Sequence, residues 1–376
     1  MSLRTCVLLV GLFVGLTGLR AQAQDRPISE IDLANLQLVV QRAVDRVAPS
    51  VVTIQTFGGT RKSGGAKPPP DIREDRKPPP KKSLGMEGFL QGTGATTGLV
   101  LSADGWILVS KFALEMDPST IMVNLPDGRS FTAERKGEDI SRQIALVKID
   151  VQGLAVPDML DPGEVEVGQW AFALGRTFGA QHPSVHKGVV SATKRVFGRA
   201  IQVDAKTSPI NYGGAVIDIE GRVMGIAVPM DASGRKANVD LYDSGVGFAS
   251  TIADIGGLLE RMKQGEVLHR GYLGVAVNPQ HLGPGAELKT VVEKSVGHQA
   301  GMRDGSTILQ VDGVDVKHGF HFQMLVGSKM AGEEVRLTFR NPGAEPQTAT
   351  LRLTAVPETG MAAREGDKEN GSVPNR

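Results

Sequence analysis

The sequence predicts a mainly β fold: an antiparallel barrel or sandwich, followed by a smaller module that mixes strands with helices. Between 93 and 249, short apolar runs such as "GATTGLVLS", "GWILVS", "TIMVNL", "QIALVKI" and "WAFAL" follow one another at close spacing. "SADG", "PDGR" and "IEGR" supply tight turns between them, and no helical period separates the runs. Beyond 270 the pattern changes, and strand-like runs alternate with helical stretches. With 376 residues, 40% of them apolar, the chain is long enough for two or three domains with real cores.

Taken from the start, residues 1–23 read as a cleaved secretory signal. Arg4 gives the positive start, "CVLLVGLFVGL" is an apolar run too short to span a bilayer, and "AQA" at 21–23 is a small-x-small cleavage site. The mature chain is therefore expected in a secreted or periplasmic compartment, without a membrane span. The single cysteine, Cys6, leaves with the signal, so no thiol, disulfide or cysteine-held metal is expected. The whole chain carries 42 basic and 41 acidic residues, and losing Arg4 and Arg20 leaves 40 against 41. So even a balance argues against a dedicated nucleic-acid or membrane-surface binder.

Residues 24–48 place Ile31, Leu33, Leu36, Leu38, Val40, Ala43 and Val44 at helical spacing and predict a helical segment. The β-rich region spans 49–250, opening with the β-branched run "APSVVTIQT" (48–56). It is interrupted by 57–92, where "GGTRKSGGAKPPPDIREDRKPPPKKS" offers almost nothing to bury and predicts a mobile surface loop. "GVVSA", "GAVID", "RVMGIAV" and "GVGFAS" complete the strands. A linker helix is expected over 251–265, with Thr251 and Asp254 as its capping box and Gly265 as its stop. The second module, 266–357, opens with the strand "GYLGVAV". A short helical turn and a hairpin follow in "VGHQAGMRDGSTILQVDGVDV", then a helix in "GFHFQMLVGSKMAGE" and a closing hairpin. Residues 358–376 are polar and predict a disordered tail.

This order of parts resembles the HtrA (Deg) family of secreted, trypsin-like serine proteases over roughly residues 35–355. The carriers are "APSVVTI", "TGLVLSADGWILVS", "VNLPDGRSF", "IALVKID", "VEVGQWAFALGRTFG", "VSATKR", "IQVDA", "NYGGAVIDIEGRVMGI", "GVGFA" and "RGYLGV". Each is weak alone; their order and spacing make the resemblance. It implies a trypsin-like double β-barrel over the first region and a PDZ-like α/β domain in the second.

At the positions that the family uses for chemistry, the sequence departs from it. The stretch that resembles the family's histidine-bearing segment is "VSKFAL", which puts Phe112 at the histidine position. The aspartate stretch is "QIALVK", with Gln143 at the acid, and the serine loop is "SPINYGG", with Tyr212 at the nucleophile. Ile210 stands where a glycine shapes the oxyanion loop, and a β-branched residue does not take positive φ cheaply. The mechanism needs an imidazole to accept and return the nucleophile's proton. Phenylalanine cannot titrate, and the chain has no histidine before His182. Losing a whole triad costs on the order of 10⁶ in turnover in another serine protease. The residues thus predict a pseudoprotease.

The rescues are weaker. Lys111 or Lys206 as a replacement base reads better as a solvated surface lysine. His182 and His186 are four apart, but Pro183 breaks a regular helix and no further ligand is near, so no metal or cofactor is expected. Asp204, matching a family residue near the cleft, reads as structural.

In the second module, "RGYLGV" resembles a carboxylate-binding loop whose backbone amides meet a peptide C-terminus. The candidate peptide-binding residues are Tyr272, Leu273, Gly274, Val275, Phe322 and Leu325, with Gly274 leaving room for the peptide backbone. The alternative for Tyr272, Leu273 and Phe322 is ordinary core packing. Two functions follow. The first is an inactive HtrA-like envelope protein that binds C-terminal peptides or unfolded proteins as chaperone, adaptor or decoy. It could assemble as a homotrimer or as a mixed oligomer with active relatives. The second is an active endopeptidase with an unrecognised catalytic arrangement.

Overall fold

The computed structural model describes residues 30–58, 85–86, 89–90, 95–177, 181–230, 245–253 and 255–356. The expected signal, most of the Pro-rich loop and the tail lie outside them. Helix α1 (Glu30–Val47) leads into β1 (Val51–Phe57), separated by a single 3-10 turn, Ala48–Ser50, built on Pro49. Its last turns bury Ala43, Val44 and Val47.

The first barrel adds β2 (Thr96–Val100), β3 (Trp106–Ser110), β4 (Thr120–Asn124), β5 (Ser130–Asp139) and β6 (Ile144–Lys148). The strand order is β5-β4-β1-β2-β3-β6, closed by β5–β6. β2, β3 and β6 are buried on both faces. Ile107, Val109, Ala145 and Val147 fill the barrel, while Leu108, Ile144 and Leu146 join the core that also holds α1. That double burial is why "WILVS" reads as one apolar run rather than an alternation.

The second barrel comprises β7 (Trp170–Gly175), β8 (Ser184–Lys194), β9 (Ala200–Val203), β10 (Ala215–Ile217), β11 (Val223–Val228) and β12 (Gly247–Ser250). It closes in the order β8-β9-β12-β11-β10-β7. Closure leaves neither barrel a long free edge. The predicted β class therefore resolves into two six-stranded barrels.

Two strands escape the apolar-run pattern. β5 is "SFTAERKGED", which is mostly polar and charged, with Glu134 and Arg135 exposed and Glu138 and Asp139 buried, so little apolar signal marks it. β9 is only four residues long. The linker helix is also shorter than expected. α2 runs Gly256–Lys263 from Ile255, and no side chain caps it. Thr251 instead donates to the Arg199 carbonyl at 3.1 Å, so the expected capping box does not form, and Asp254 lies outside the described residues. Gly265, at φ +88°, does follow the helix end.

The third module has β13 (Val275–Val277), β14 (Ala286–Val291), β15 (Thr307–Val311), β16 (Glu334–Arg340) and β17 (Gln347–Arg352), hydrogen-bonded in that order. Helix α3 (Gly319–Gly327) and a one-turn helix, Val296–Gln299, pack on the sheet around Leu288, Ile308, Phe322, Leu337 and Phe339. β13 forms one edge of this sheet.

The module is tied to both barrels. Val267–Leu268 pairs in parallel with Glu138 and Asp139 at the end of β5, where β4 has run out. From the second barrel, Lys194, Val196 and Phe197 adopt left-handed backbone conformations, costly for a β-branched residue. That turn presents the Phe197 ring to Gly327, where any Cβ would overlap it, and beneath the Arg270 guanidinium, 4.5 Å away. Beside it, Arg199 is 2% exposed and donates to the Lys329 carbonyl at 3.1 Å.

Candidate functional site

Two of the substituted positions, 112 and 212, meet where the two barrels face each other. Ser110 ends β3, and its Oγ accepts the Phe112 amide at 3.3 Å, starting the 3-10 turn Lys111–Leu114. That turn aims the Phe112 ring at Tyr212, which lies ahead of β10. The rings meet edge-on, with centroids 5.3 Å apart and planes at 67°. Phe112 is 4% exposed and Tyr212 5%, and both belong to the core that fills the second barrel. An edge-to-face aromatic contact contributes about 0.5–1.5 kcal/mol beyond area burial.

Gln143 does not join them. Its backbone has φ +56°, and its side-chain Nε2 donates to the Ile140 carbonyl at 2.8 Å, within its own loop. What links it to Phe112 is main chain: the Lys111 N–H donates to the Gln143 carbonyl at 2.9 Å.

The loop 208–214 is equally committed to internal bonds. The Tyr212 N–H donates to the Ser208 carbonyl at 3.0 Å, and the Gly213 N–H to the Ala227 carbonyl at 2.8 Å. Gly213 has φ +87°, and a Cβ there would overlap the Thr97 carbonyl, so glycine is required on both counts. Ile210 is not at positive φ and is 38% exposed. Its carbonyl accepts from Thr97 Oγ1 at 2.8 Å.

Three residues that the sequence does not single out hold this arrangement. Thr97 also donates its N–H to the Tyr212 carbonyl and accepts from the Arg176 N–H, stitching β2 to the second barrel. Asn211 is fully buried, accepts from the Ser208 N–H and donates to the Lys206 carbonyl. Arg176 donates to the carbonyls of Val51, Gln181 and Ala48, and burial lowers its pKa from the ordinary value. An Asn in a Pro-bearing loop is a fair sequence signal for a turn. Thr97 and Arg176 act over more than seventy residues and leave no local trace.

Asp204 accepts the Val189 N–H at 2.6 Å, joining β8 to the end of β9. Lys206 is exposed and Lys111 half-buried. His186 sits in β8 opposite Ala173, and among the described residues no group of three or more His, Cys, Asp or Glu could hold a metal.

In the third module Leu273 and Phe322 are buried in one core, with Val275 and Leu325 half-buried against it. Tyr272 is separated from them. It pairs with Thr354 and lines an open depression with Val292, Ser295 and Arg352. Among the described residues, the N–H groups of Leu273 and Gly274 make no backbone hydrogen bond outside the strand ladders. Gly274 has φ +78°, but a Cβ there would overlap Ser295. The glycine is thus needed for the loop's own packing.

Residues 96–226 match the family model described as trypsin-like peptidase domain. A probable periplasmic serine endoprotease, DegP-like, from Halomonas elongata is 27% identical over 89% of this chain and 74% of its own length. The putative serine protease HhoB of Synechocystis is 28% identical over 85% of this chain and 80% of its own. Among solved structures, the HtrA-type protease AlgW with a tripeptide superposes with a TM-score of 0.62. It is 22% identical, covering 85% of this chain and 97% of that one. A serine endoprotease from Yersinia pestis gives a TM-score of 0.59 at 23% identity, covering 85% of this chain and 98% of the other. At such identities the structures speak for the fold alone.

Proposed function

The chain is an HtrA-family homologue with a trypsin-like peptidase domain, and from that premise we propose that it is a pseudoprotease of the periplasm that captures peptides or unfolded chains. The observation that carries this reading is the Phe112–Tyr212 contact. Where a base should meet a nucleophile, two buried rings pack on each other. Neither ring offers an imidazole, and the Tyr212 amide, which an oxyanion would need, is bonded to Ser208.

Binding rests on the third module. β13 leaves one edge of the sheet open, the amides of Leu273 and Gly274 stand at its start, and α3 runs as the opposite wall. An extended peptide can add to that edge and set its carboxylate on those amides. The periplasmic relatives and the expected signal sequence support the location. No described helix is long and apolar enough to cross a membrane. A homotrimer, or a mixed oligomer with active relatives, is part of the same reading.

The test is incubation of the purified chain with casein and with a serine-directed fluorophosphonate. We expect neither cleavage nor labelling. Casein degradation that Tyr212→Phe abolishes would establish the alternative, an active endopeptidase with an unrecognised arrangement.

A further inference from the structure

The start of α3 is held by two histidines in a way that requires both rings to be neutral. His318 precedes the first helical residue, and its Nδ1 accepts the His321 amide N–H at 3.2 Å. His321 reaches back, its Nδ1 accepting the Lys317 N–H at 3.1 Å. The ring centroids are 6.1 Å apart. The pattern resembles a capping box displaced by one residue, since His321 takes the N–H before the cap rather than the cap's own, with imidazoles where a hydroxyl and a carboxylate are usual. An imidazolium carries a proton on Nδ1 and cannot accept there. Acid therefore removes both bonds together, and sets two cations side by side at the positive end of the helix dipole.

The charged groups around them do not offset this. Lys317 adds a third cation in the same turn. On β14, Glu287 accepts from Asn278 and lies 3.4 Å from His281, and Lys289 is a further cation. Asp315 is held by Gln310 at 2.8 Å. β13 and β15 carry no charged residue, and Arg199 lies at the other end of α3. The first turn rests directly on the groove: a Cβ at Gly319 would overlap Val277 of β13.

We propose that His318 and His321 form an acid-labile cap, so that once the two rings are protonated the first turn of α3 loosens and the groove beside β13 loses its wall. The consequence for a bound peptide rests on the peptide-binding reading above.

The experiment is amide hydrogen exchange on the full chain at pH 7.5 and pH 5.0, corrected for intrinsic chemical rates. Wild type is compared with a His318→Ser, His321→Glu variant, which keeps a capping box without an imidazole. In wild type, protection over 319–323 should fall about fivefold on acidification, the usual worth of a cap, and it should hold in the variant. An unchanged wild type, or an equal fall in the variant, overturns the proposal. The same samples are titrated with an apolar peptide ending in a free Val carboxylate. Its affinity should fall by a similar factor in wild type alone. Equal affinity at both pH values in wild type removes the groove from the proposal. If the peptide binds at neither pH, the peptide-binding reading fails, while exchange still decides the cap.

Discussion

The guanidinium of Arg199, enclosed between the second barrel and the third module, donates to the carbonyl of Lys329 at 3.1 Å. Burial lowers its pKa to about 10, the Arg142 cation adds to the shift, and Asp139 opposes it. With the folded pKa below the unfolded value, the charge costs stability at every pH below about 10, and the cost is relieved only as pH rises from there. The Lys329 carbonyl also accepts the Gly271 N–H, so losing Arg199 does not orphan it. Arg199→Met should therefore stay within about 1 kcal/mol of wild type in urea unfolding. Arg199→Ala, which leaves a cavity, should lose about 2–4 kcal/mol. Equal losses in both would contradict this account of the junction.

The aromatic pair sets a second expectation. Phe112→Ala should cost about 3–5 kcal/mol, as for a fully packed ring. Tyr212→Ser should cost about 2–4 kcal/mol and bring no activity, since it opens a cavity without supplying a base. Thermal melts read the first quantity, and casein assays the second. A Tyr212→Ser protein as stable as wild type would mean that the two rings do not pack as described.

Restoring side chains should not restore function until the loop is also freed. Phe112→His, Gln143→Asp and Tyr212→Ser together leave the residue 212 amide on Ser208 and Ile210 pinned by Thr97. This triple variant should not react with a fluorophosphonate. Adding Ile210→Gly, which lets the loop turn its amides outward, should give measurable labelling. Labelling of the triple variant alone would show that the loop geometry is no barrier.

Peptide capture by the full chain should depend on a free C-terminus. An amide cap removes one charge and leaves the Leu273 and Gly274 donors poorly paired, for a loss of roughly 1.5–3 kcal/mol, about ten- to a hundredfold in affinity. Calorimetry with acid and amide forms of one peptide measures it. Equal affinities would reduce the loop to a packing element.

Much of this was legible in the sequence because the signals were local. β-branched runs, glycine turns and the residues at 112, 143 and 212 can each be read within a few positions. Their consequence could not. Nothing near Phe112 says that its ring meets one a hundred residues away, or that Gln143 folds onto Ile140 rather than toward it. β5 gives little apolar signal because it buries only Ala133 and part of Phe131 as apolar side chains, while its remaining positions are polar, charged or glycine. Thr251 has the chemistry of a cap, but the buried Arg199 carbonyl takes its hydroxyl instead. Local propensity loses wherever a distant buried group needs a partner.

The parallel pairing of Val267–Leu268 with the end of β5 also fixes an order of events during biogenesis. A chain that emerges amino-terminus first exposes β5 long before the residues that cover its last positions, since the whole second barrel lies between. Until then Glu138 and Asp139 present main-chain groups on the side that β4 does not reach. That is a nascent template for any other extended chain. The non-local closing of this contact leaves that template exposed until the chain through Leu268 has emerged.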